Sequence, residues 1–478
     1  MKMFVYIVLL QLVFTACQEA HEMQGNPPKV GQISLECNFE PLETGFLWAK
    51  EQALAYVHEN DPVGPWFEAA LPGREAFCMR DVAHQSMGAM ALGLWDHTFN
   101  MMHKFALNIS DSKDWCSYWE INRFNQPAPV DYRNDRDFWY NLPANFDIIR
   151  SCLINYEWTG NKDYLDNHDF MTFYNRSLND YVRRWDSDGN GWMDSPAENG
   201  IRGIPTYWEG RGPKAFTGGD LLAAQFAGNL AFSKMLYFKG QTDEADLYHE
   251  KAERLRFQYN SEWWDRGLKR FFTSITQNGD SDTTMISLMQ ILPLYFGIVE
   301  TGPEKEELLD NLPEGSNVED NSYRAEVFYQ NDRNQKAFEC LMKQLDPNLD
   351  RREYPENPFT AIGTIVRYLA GIHSQPVSGR IEIKPRLPEE IDTLYVNDVP
   401  VLRNVISVGI IGQNSITLEN KSGPEIEWMA VFAGEKNNAT IDGSSIDIIF
   451  RNIENGRIES CVMCSVKSGE KRTLKVFD

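Results

Sequence analysis

The chain has 478 residues, 42% of them hydrophobic, enough for one large domain and a smaller one around a sizeable core. Such a composition excludes a disordered chain. Lys and Arg total 46 against 69 Asp and Glu, a formal charge of −23; with no basic run to offset it, this excludes nucleic acid and anionic membrane surfaces as electrostatic partners.

At the start, Met1-Lys2 precede an apolar run from Met3 to Thr15, too short to span a bilayer as a stable helix and built like a signal peptide. Phe14-Thr15-Ala16-Cys17 resembles a bacterial lipobox, in which Cys17 becomes the lipidated first residue; an ordinary cleaved signal is the alternative. Residues 1–17 are therefore expected to be removed or lipidated and 18–44 to form a polar tether and lead-in. The protein is expected outside the cytoplasm, in the periplasm or on the outer membrane, touching a membrane only through its N-terminal lipid. The seven cysteines after Cys17 have no regular spacing, which argues against a disulfide framework or a zinc cluster. Cys461-Val-Met-Cys464 sits in an alternating run and is read as strand filling rather than a redox pair.

From Gly45 to Leu369 the sequence predicts helix after helix. Val82, Ser86, Met87, Met90, Ala91 and Leu94 share one helical face, as do Phe146, Ile149, Cys152, Leu153 and Tyr156. Further helices are predicted at Ser177–Trp185, Leu221–Gly240, Glu244–Trp264, Thr283–Phe296, Ser322–Gln330, Asn334–Leu345 and Ala361–Gly371, divided by Asp-, Asn-, Gly- and Pro-rich loops. Roughly 330 residues at about 25 to 30 per helix and loop gives about twelve helices, or six hairpins. The expectation is a mainly α chain: an (α/α)6 toroid over 45–371. Ala223, Ala224, Ala227, Gly228 and Ala231 would let one inner helix crowd the axis. After Gly371 the pattern alternates, at Arg380–Arg386, Asn414–Glu419, Trp428–Phe432, Ser445–Phe450 and Arg472–Phe477, predicting an antiparallel β-sandwich over 372–478.

The stretch from Trp185 to Phe232 holds the densest chemistry. Asp186, Asp188, Asn190, Gly191 and Asp194 match the first nine positions of an EF-hand calcium loop, but position twelve is Ala197 rather than the bidentate Glu. It reads mainly as an Asx-rich turn, with calcium as the alternative; no other cofactor is called for. Next comes Tyr207-Trp208-Glu209 in a Gly- and Pro-rich loop. Aromatic rings beside a carboxyl suit sugars, because rings stack on pyranose faces and a carboxylic acid can protonate a glycosidic oxygen.

Several motifs occur in an order that resembles a known family. These are Phe77-Cys-Met-Arg80-Asp81-Val-Ala-His84-Gln85, the Asp186–Asp194 turn, Tyr207-Trp208-Glu209, Ser322-Tyr-Arg-Ala-Glu326-Val-Phe-Tyr329, Arg352-Glu-Tyr-Pro-Glu356-Asn-Pro-Phe359 and Val377–Arg386. Together they are similar to the catalytic domain of the bacterial α-L-rhamnosidases (glycoside hydrolase family 78) and other six-hairpin glycosidases. Each motif is short, and their order carries the likeness. Counterparts of the large N-terminal β-domains of many rhamnosidases are missing, so the resemblance does not fix the sugar.

The resemblance implies that Arg80 and Asp81 hold the hydroxyls of a terminal sugar, the alternative being an ion pair at a helix start. His84, one turn on, would line the same pocket or sit in the core. Glu209 is the expected general acid; Glu356 is preferred as base, with Glu353 and Glu326 as rivals. Trp66, Trp208, Tyr207 and Tyr140 are candidate stacking platforms. The expected activity is removal of a terminal sugar, α-L-rhamnose first, from an oligosaccharide or polysaccharide. An inverting pair of carboxyls would stand about 6.5 to 9.5 Å apart and a retaining pair nearer 5 Å. The alternatives are release of a glucoside or uronic acid, a polysaccharide lyase with Tyr/His chemistry, and a non-catalytic glycan-binding lipoprotein. No Walker loop, His-Glu-x-x-His or Gly-x-Ser-x-Gly motif is present.

Overall fold

A computed structural model describes residues 28–209, 215–453 and 456–477. The expected signal peptide, Cys17 and the start of the tether lie outside the described residues. Twelve α-helices of eight residues or more follow one another among the described residues. They are α1 (Glu40–Ala55), α2 (Met79–Ala91), α3 (Trp95–Leu107), α4 (Ala144–Thr159), α5 (His168–Asn175, continued by a π-helical turn to Arg184) and α6 (Gly219–Phe238). The second half has α7 (Thr242–Glu262), α8 (Ser287–Phe296), α9 (Pro303–Asp310), α10 (Val318–Gln330), α11 (Asn334–Leu345) and α12 (Glu356–Thr364, continued by a π-helical turn to Leu369).

Odd and even helices differ in how they are buried, and the sequence explains why. In α7 the buried residues Ala245, Tyr248, Ala252, Leu255 and Tyr259 recur every three or four positions, a single stripe with charge on the other face. In α6 burial runs around the whole helix, including Ala223, Ala224, Ala227 and Gly228, as expected of a helix enclosed by others. The even helices touch in a closed cycle: α2 against α4, α4 against α6, α6 against α8, α8 against α10, α10 against α12, and α12 back against α2. Small residues permit the tightest of these approaches. A Cβ on Gly88 would lie 1.8 Å from the carbonyl oxygen of Phe359, and one on Gly228 would meet the Phe146 ring at 2.8 Å.

The C-terminal region has two sheets. One runs β1-β4-β5-β6-β12-β8-β9 and the other β2-β3-β7-β11-β10, where β1 is Ser34–Cys37, β2 Ile372–Gln375, β3 Arg380–Ile383, β4 Thr393–Val401, β5 Asn404–Ile411 and β6 Ser415–Ser422. The remaining strands are β7 Ile426–Ala433, β8 Asn438–Ile441, β9 Ser444–Ile446, β10 Ile449–Asn452, β11 Ile458–Val466 and β12 Lys471–Phe477. The sheets meet through β6, β11 and β12.

Two expectations are corrected. The pairing is not wholly antiparallel: β3 runs parallel to β7, Arg380 opposite Glu427, because three strands of the other sheet intervene between them. And the helical region starts before Gly45, within the expected lead-in. Ile33 and Leu35 are buried, β1 pairs with β4 in the register Ser34 to Asn397, and α1 begins at Glu40. Cys461 and Cys464 lie on β11, where odd spacing puts them on opposite faces, and both are free. Among the described residues no helix is long and apolar enough to cross a membrane.

Candidate active site

The first turns of the even helices supply the acids. Asp81 on α2, Asp147 on α4, Asp220 on α6, Glu319 and Asp320 on α10 and Glu356 on α12 all sit there, where the positive end of the helix dipole favours a carboxylate. A short strand, Ala76–Cys78, leads into α2 and pairs with Glu120–Asn122, Cys78 opposite Glu120. That register sets Trp119 and Glu120 beside Arg80 and Asp81.

Arg80 ties the site together. Its Nη1 donates to the Tyr207 carbonyl at 3.1 Å, and its Nη2 stands 3.3 Å from Glu209 and 2.9 Å from Glu319. The guanidinium lies over the rings of Tyr207 (5.2 Å) and Trp119 (5.6 Å). Beside it, burial pushes the Asp81 carboxyl up to about 7 against the pull of Arg80, with Glu319 and Glu209 adding to the rise.

Glu356 occupies the deep end, 2% exposed. The Ser322 hydroxyl donates to its Oε1 at 3.0 Å, and His84 Nε2 lies 3.4 Å from the same oxygen. Burial raises Glu356 well above the usual carboxylate range, reinforced by Asp81 and Glu319. Burial also lowers His84 well below its usual value, with Arg150 and Arg80 adding to the fall. Both shifts disfavour the charged forms, so burial works against an ion pair at this contact. Tyr323 stacks on His84 at 3.7 Å and fixes its plane.

On the facing wall Glu120 meets Arg74 at 2.6 Å. Burial pushes Glu120 up to about 8, with Asp131 raising it further and Arg74 opposing; burial raises Asp131 as well. Trp119 and Trp139 meet edge to face at 4.4 Å. These groups enclose a cavity of about 320 Å³, lined also by Arg351 and Tyr354. That volume is at the small end of the small-molecule range and suits one ring rather than a polymer threaded through.

Of the residues expected from sequence, Arg80, Asp81, Glu209 and Glu356 line this cavity together. His84 stands behind Glu356. Tyr207 is buried behind Arg80, its hydroxyl donating to Asp147 at 2.5 Å and its N–H to Asp220 at 2.8 Å. Trp208 is half-buried, anchored through its N–H to Thr206 at 3.0 Å, and outside the cavity lining.

Four candidates fall elsewhere. Trp66 is fully buried, stacked on His58 at 4.4 Å and bonded to Asp61; Tyr140 is likewise core. Glu326 lies two turns down α10, held by Tyr368 at 2.7 Å and Gln330 at 3.0 Å. Glu353 is on the surface. In their place the cavity uses Glu319, Glu120, Asp131, Trp119 and Trp139. No local signal singles out Glu319, because first-turn acids occur on the outer helices as well, such as Asp96 on α3 and Asp169 on α5.

In the Asp186 loop, carboxylate oxygens of Asp186, Asp188 and Asp194 lie within 4.8 Å of one another. Asn190 donates its Nδ2 to Asp188 and accepts from the Trp192 N–H.

No protein-family model and no curated protein matches this sequence. Solved structures do match its fold. The family 78 (GH78) rhamnosidase of Bacillus sp. GL1 superposes with a TM-score of 0.62 at 12% identity, covering 82% of this chain and 40% of its own. An alpha-L-rhamnosidase from Dictyoglumus thermophilum gives 0.61 at 11%, covering 93% and 50%. A putative kojibiose phosphorylase from the human microbiome gives 0.56 at 8%, covering 91% and 63%. The chain thus spans half or less of the length of either rhamnosidase. These likenesses establish a fold shared with those two rhamnosidases and that phosphorylase.

Proposed function

We propose that this chain, which carries the fold of the six-hairpin glycosidases, is an (α/α)6-toroid glycoside hydrolase that removes a terminal sugar from an oligosaccharide. The observation that carries it is the pair Glu209 and Glu356, far apart in sequence and lining one small cavity floored by Arg80 and Asp81. Glycoside hydrolysis requires such a pair of carboxyls flanking the scissile bond.

Depth supports one division of roles. In a blind cavity the departing sugar points toward solvent, and the Glu209 side chain is 50% exposed, so it stands where the glycosidic oxygen leaves. Glu356 is at the floor, where the water that attacks the far face of the ring is held. Burial makes Glu356 a stronger base than an ordinary carboxylate, and the Ser322 hydroxyl, by donating to Oε1, orients the carboxyl and leaves its other oxygen to take the proton. Attack from the face opposite the leaving group inverts the anomeric centre. Arg80 and Asp81, a fork of donors beside an acceptor, grip the sugar hydroxyls, and Trp119 offers its face to the ring.

The lining has six carboxyls, Asp81, Glu120, Asp131, Glu209, Glu319 and Glu356, against three arginines. Burial raises most of these carboxyls, so the lining offers both donors and acceptors to sugar hydroxyls; α-L-rhamnose is the sugar to test first. Lyase chemistry has less support, since His84 is shielded behind Glu356. One observation favours a second reading with the acid and base exchanged: burial raises Glu356 well above the usual carboxylate range, which suits a proton donor.

Aryl glycosides of a neutral-sugar panel separate the two. Glu209→Gln is expected to lose about 10²–10⁴ in turnover on poor leaving groups but little on dinitrophenyl glycosides, which need no protonation. Glu356→Gln is expected to lose on both. The opposite pattern exchanges the roles, full turnover in both variants removes this pair from catalysis, and no sugar release by the wild type from any member of the panel removes the hydrolase function.

A further inference from the structure

We propose that the loop from Asp186 to Asp194 is a calcium site, built on Asp186, Asp188 and Asp194. Its ligand spacing is that of positions one, three and nine of a calcium loop, and the fold gathers one carboxylate oxygen of each within 4.8 Å.

An acid-rich turn can account for part of this without a metal. Asp186 accepts from the N–H groups of Gly189 at 2.9 Å, Asn190 at 3.1 Å and Gly191 at 2.9 Å, and Asp188 accepts from Asn190 at 3.1 Å. Asp194 is different. It is only 3% exposed; its Oδ2 takes the Ser187 N–H at 2.8 Å, while its Oδ1 is buried with no hydrogen-bond partner. A buried carboxylate oxygen left unmatched costs on the order of 1 to 3 kcal/mol or more, and two further carboxylates beside it raise that cost. Among the described residues no Lys or Arg forms an ion pair with any of the three. The nearby Arg184 and Arg202 are both engaged by Asp114. A cation supplies the missing partner for Asp194 and the missing charge for all three.

The donor set selects the ion. It is all oxygen, with no His or Cys, which suits calcium over zinc or copper. With no Glu at the twelfth position, affinity belongs to the weak class of extracellular modules, a dissociation constant on the order of 10⁻⁴ to 10⁻³ M. The loop joins the end of α5 to the segment carrying Tyr207 and Glu209. It is already docked on α6 by Gln225 Nε2 to the Gly191 carbonyl at 2.9 Å and on α7 by Trp192 Nε1 to Gln258 at 3.0 Å. Bound calcium therefore ties the two ends of this loop to each other beside its docking contacts, independently of whether the cavity hydrolyses anything.

The test uses the whole chain stripped with a chelator. Terbium should give saturable emission sensitised by Trp192, and calcium should displace it. At about a hundred times its dissociation constant, calcium should raise the melting midpoint by about 3 °C for a chain of this size, and magnesium at equal ionic strength should not. Asp188→Asn, an exposed position whose side chain still accepts the Asn190 N–H, and Asp194→Asn should each abolish both responses. Calcium without effect on the wild type up to about 10 mM overturns the site. So does an equal response to magnesium, or terbium emission undiminished in Asp188→Asn.

Discussion

Arg80 shows how much one side chain is asked to do. Its guanidinium reaches Glu209, Glu319 and the Tyr207 carbonyl at once, a geometry that needs a planar fork rather than a point charge. Arg80→Lys keeps the charge and loses the fork; kcat/KM on the best aryl glycoside is expected to fall at least about tenfold, roughly 1.4 kcal/mol of transition-state stabilisation. Unchanged steady-state kinetics would show that Arg80 only pairs carboxylates. At this scale the sequence was half legible. Arg80-Asp81 and Trp208-Glu209 stood out because charge and aromatic residues are adjacent. Trp119-Glu120 did not, because what brings them in is the pairing of Cys78 with Glu120, which no local pattern encodes. Trp66 misled for the reverse reason: residue type alone suggested a stacking platform, yet its N–H is satisfied by Asp61 and its ring is core.

At the level of helices, the joint between α2 and α12 governs whether there is a cavity at all. Gly88 meets the Phe359 backbone, and Gly363 lies against the backbone at Gly88. A methyl at Gly88 would strike backbone rather than a movable side chain, so Gly88→Ala is expected to destabilise by about 2 to 4 kcal/mol despite its better helix propensity. It should also lower activity, because Asp81 and Glu356 lie on the two helices forced apart. Chemical denaturation and turnover check both; a variant as stable as wild type would mean the joint is loose. Helix existence was legible wherever the apolar pattern was strong, as in Asn334–Leu345. Ends were less so: α10 starts at Val318, four residues before the predicted Ser322, because Asn317 caps it by accepting the Asp320 N–H. The start of α1 was likewise early, at Glu40 rather than Gly45, in what was read as the lead-in.

For the molecule as a whole, burying so many acids leaves a mark on its pH response. Asp81 and Asp147 are raised to about 7 and Glu120 to about 8, burial being the main cause in each. A carboxyl raised in the folded state binds its proton more tightly than in the unfolded chain, so its contribution is full below about pH 4 and is lost as pH climbs through 7 to 8. Lowered groups such as Asp61, held down by its bond from Trp66, act oppositely and lose their contribution below about pH 4. Melting temperature is therefore expected to fall between about pH 5 and 8, and Glu120→Gln should flatten the slope; calorimetry across that range decides, and a rising profile would contradict it. The closed cycle of even helices carries one more consequence, for synthesis. Asp81 is made 275 residues before Glu356, an interval on the order of 15 to 55 s at ordinary translation rates. Until the last pair of helices emerges, the nascent chain is an open arc with its polar lining bare, so a ribosome stalled late would release a product holding most of the helices and none of the chemistry.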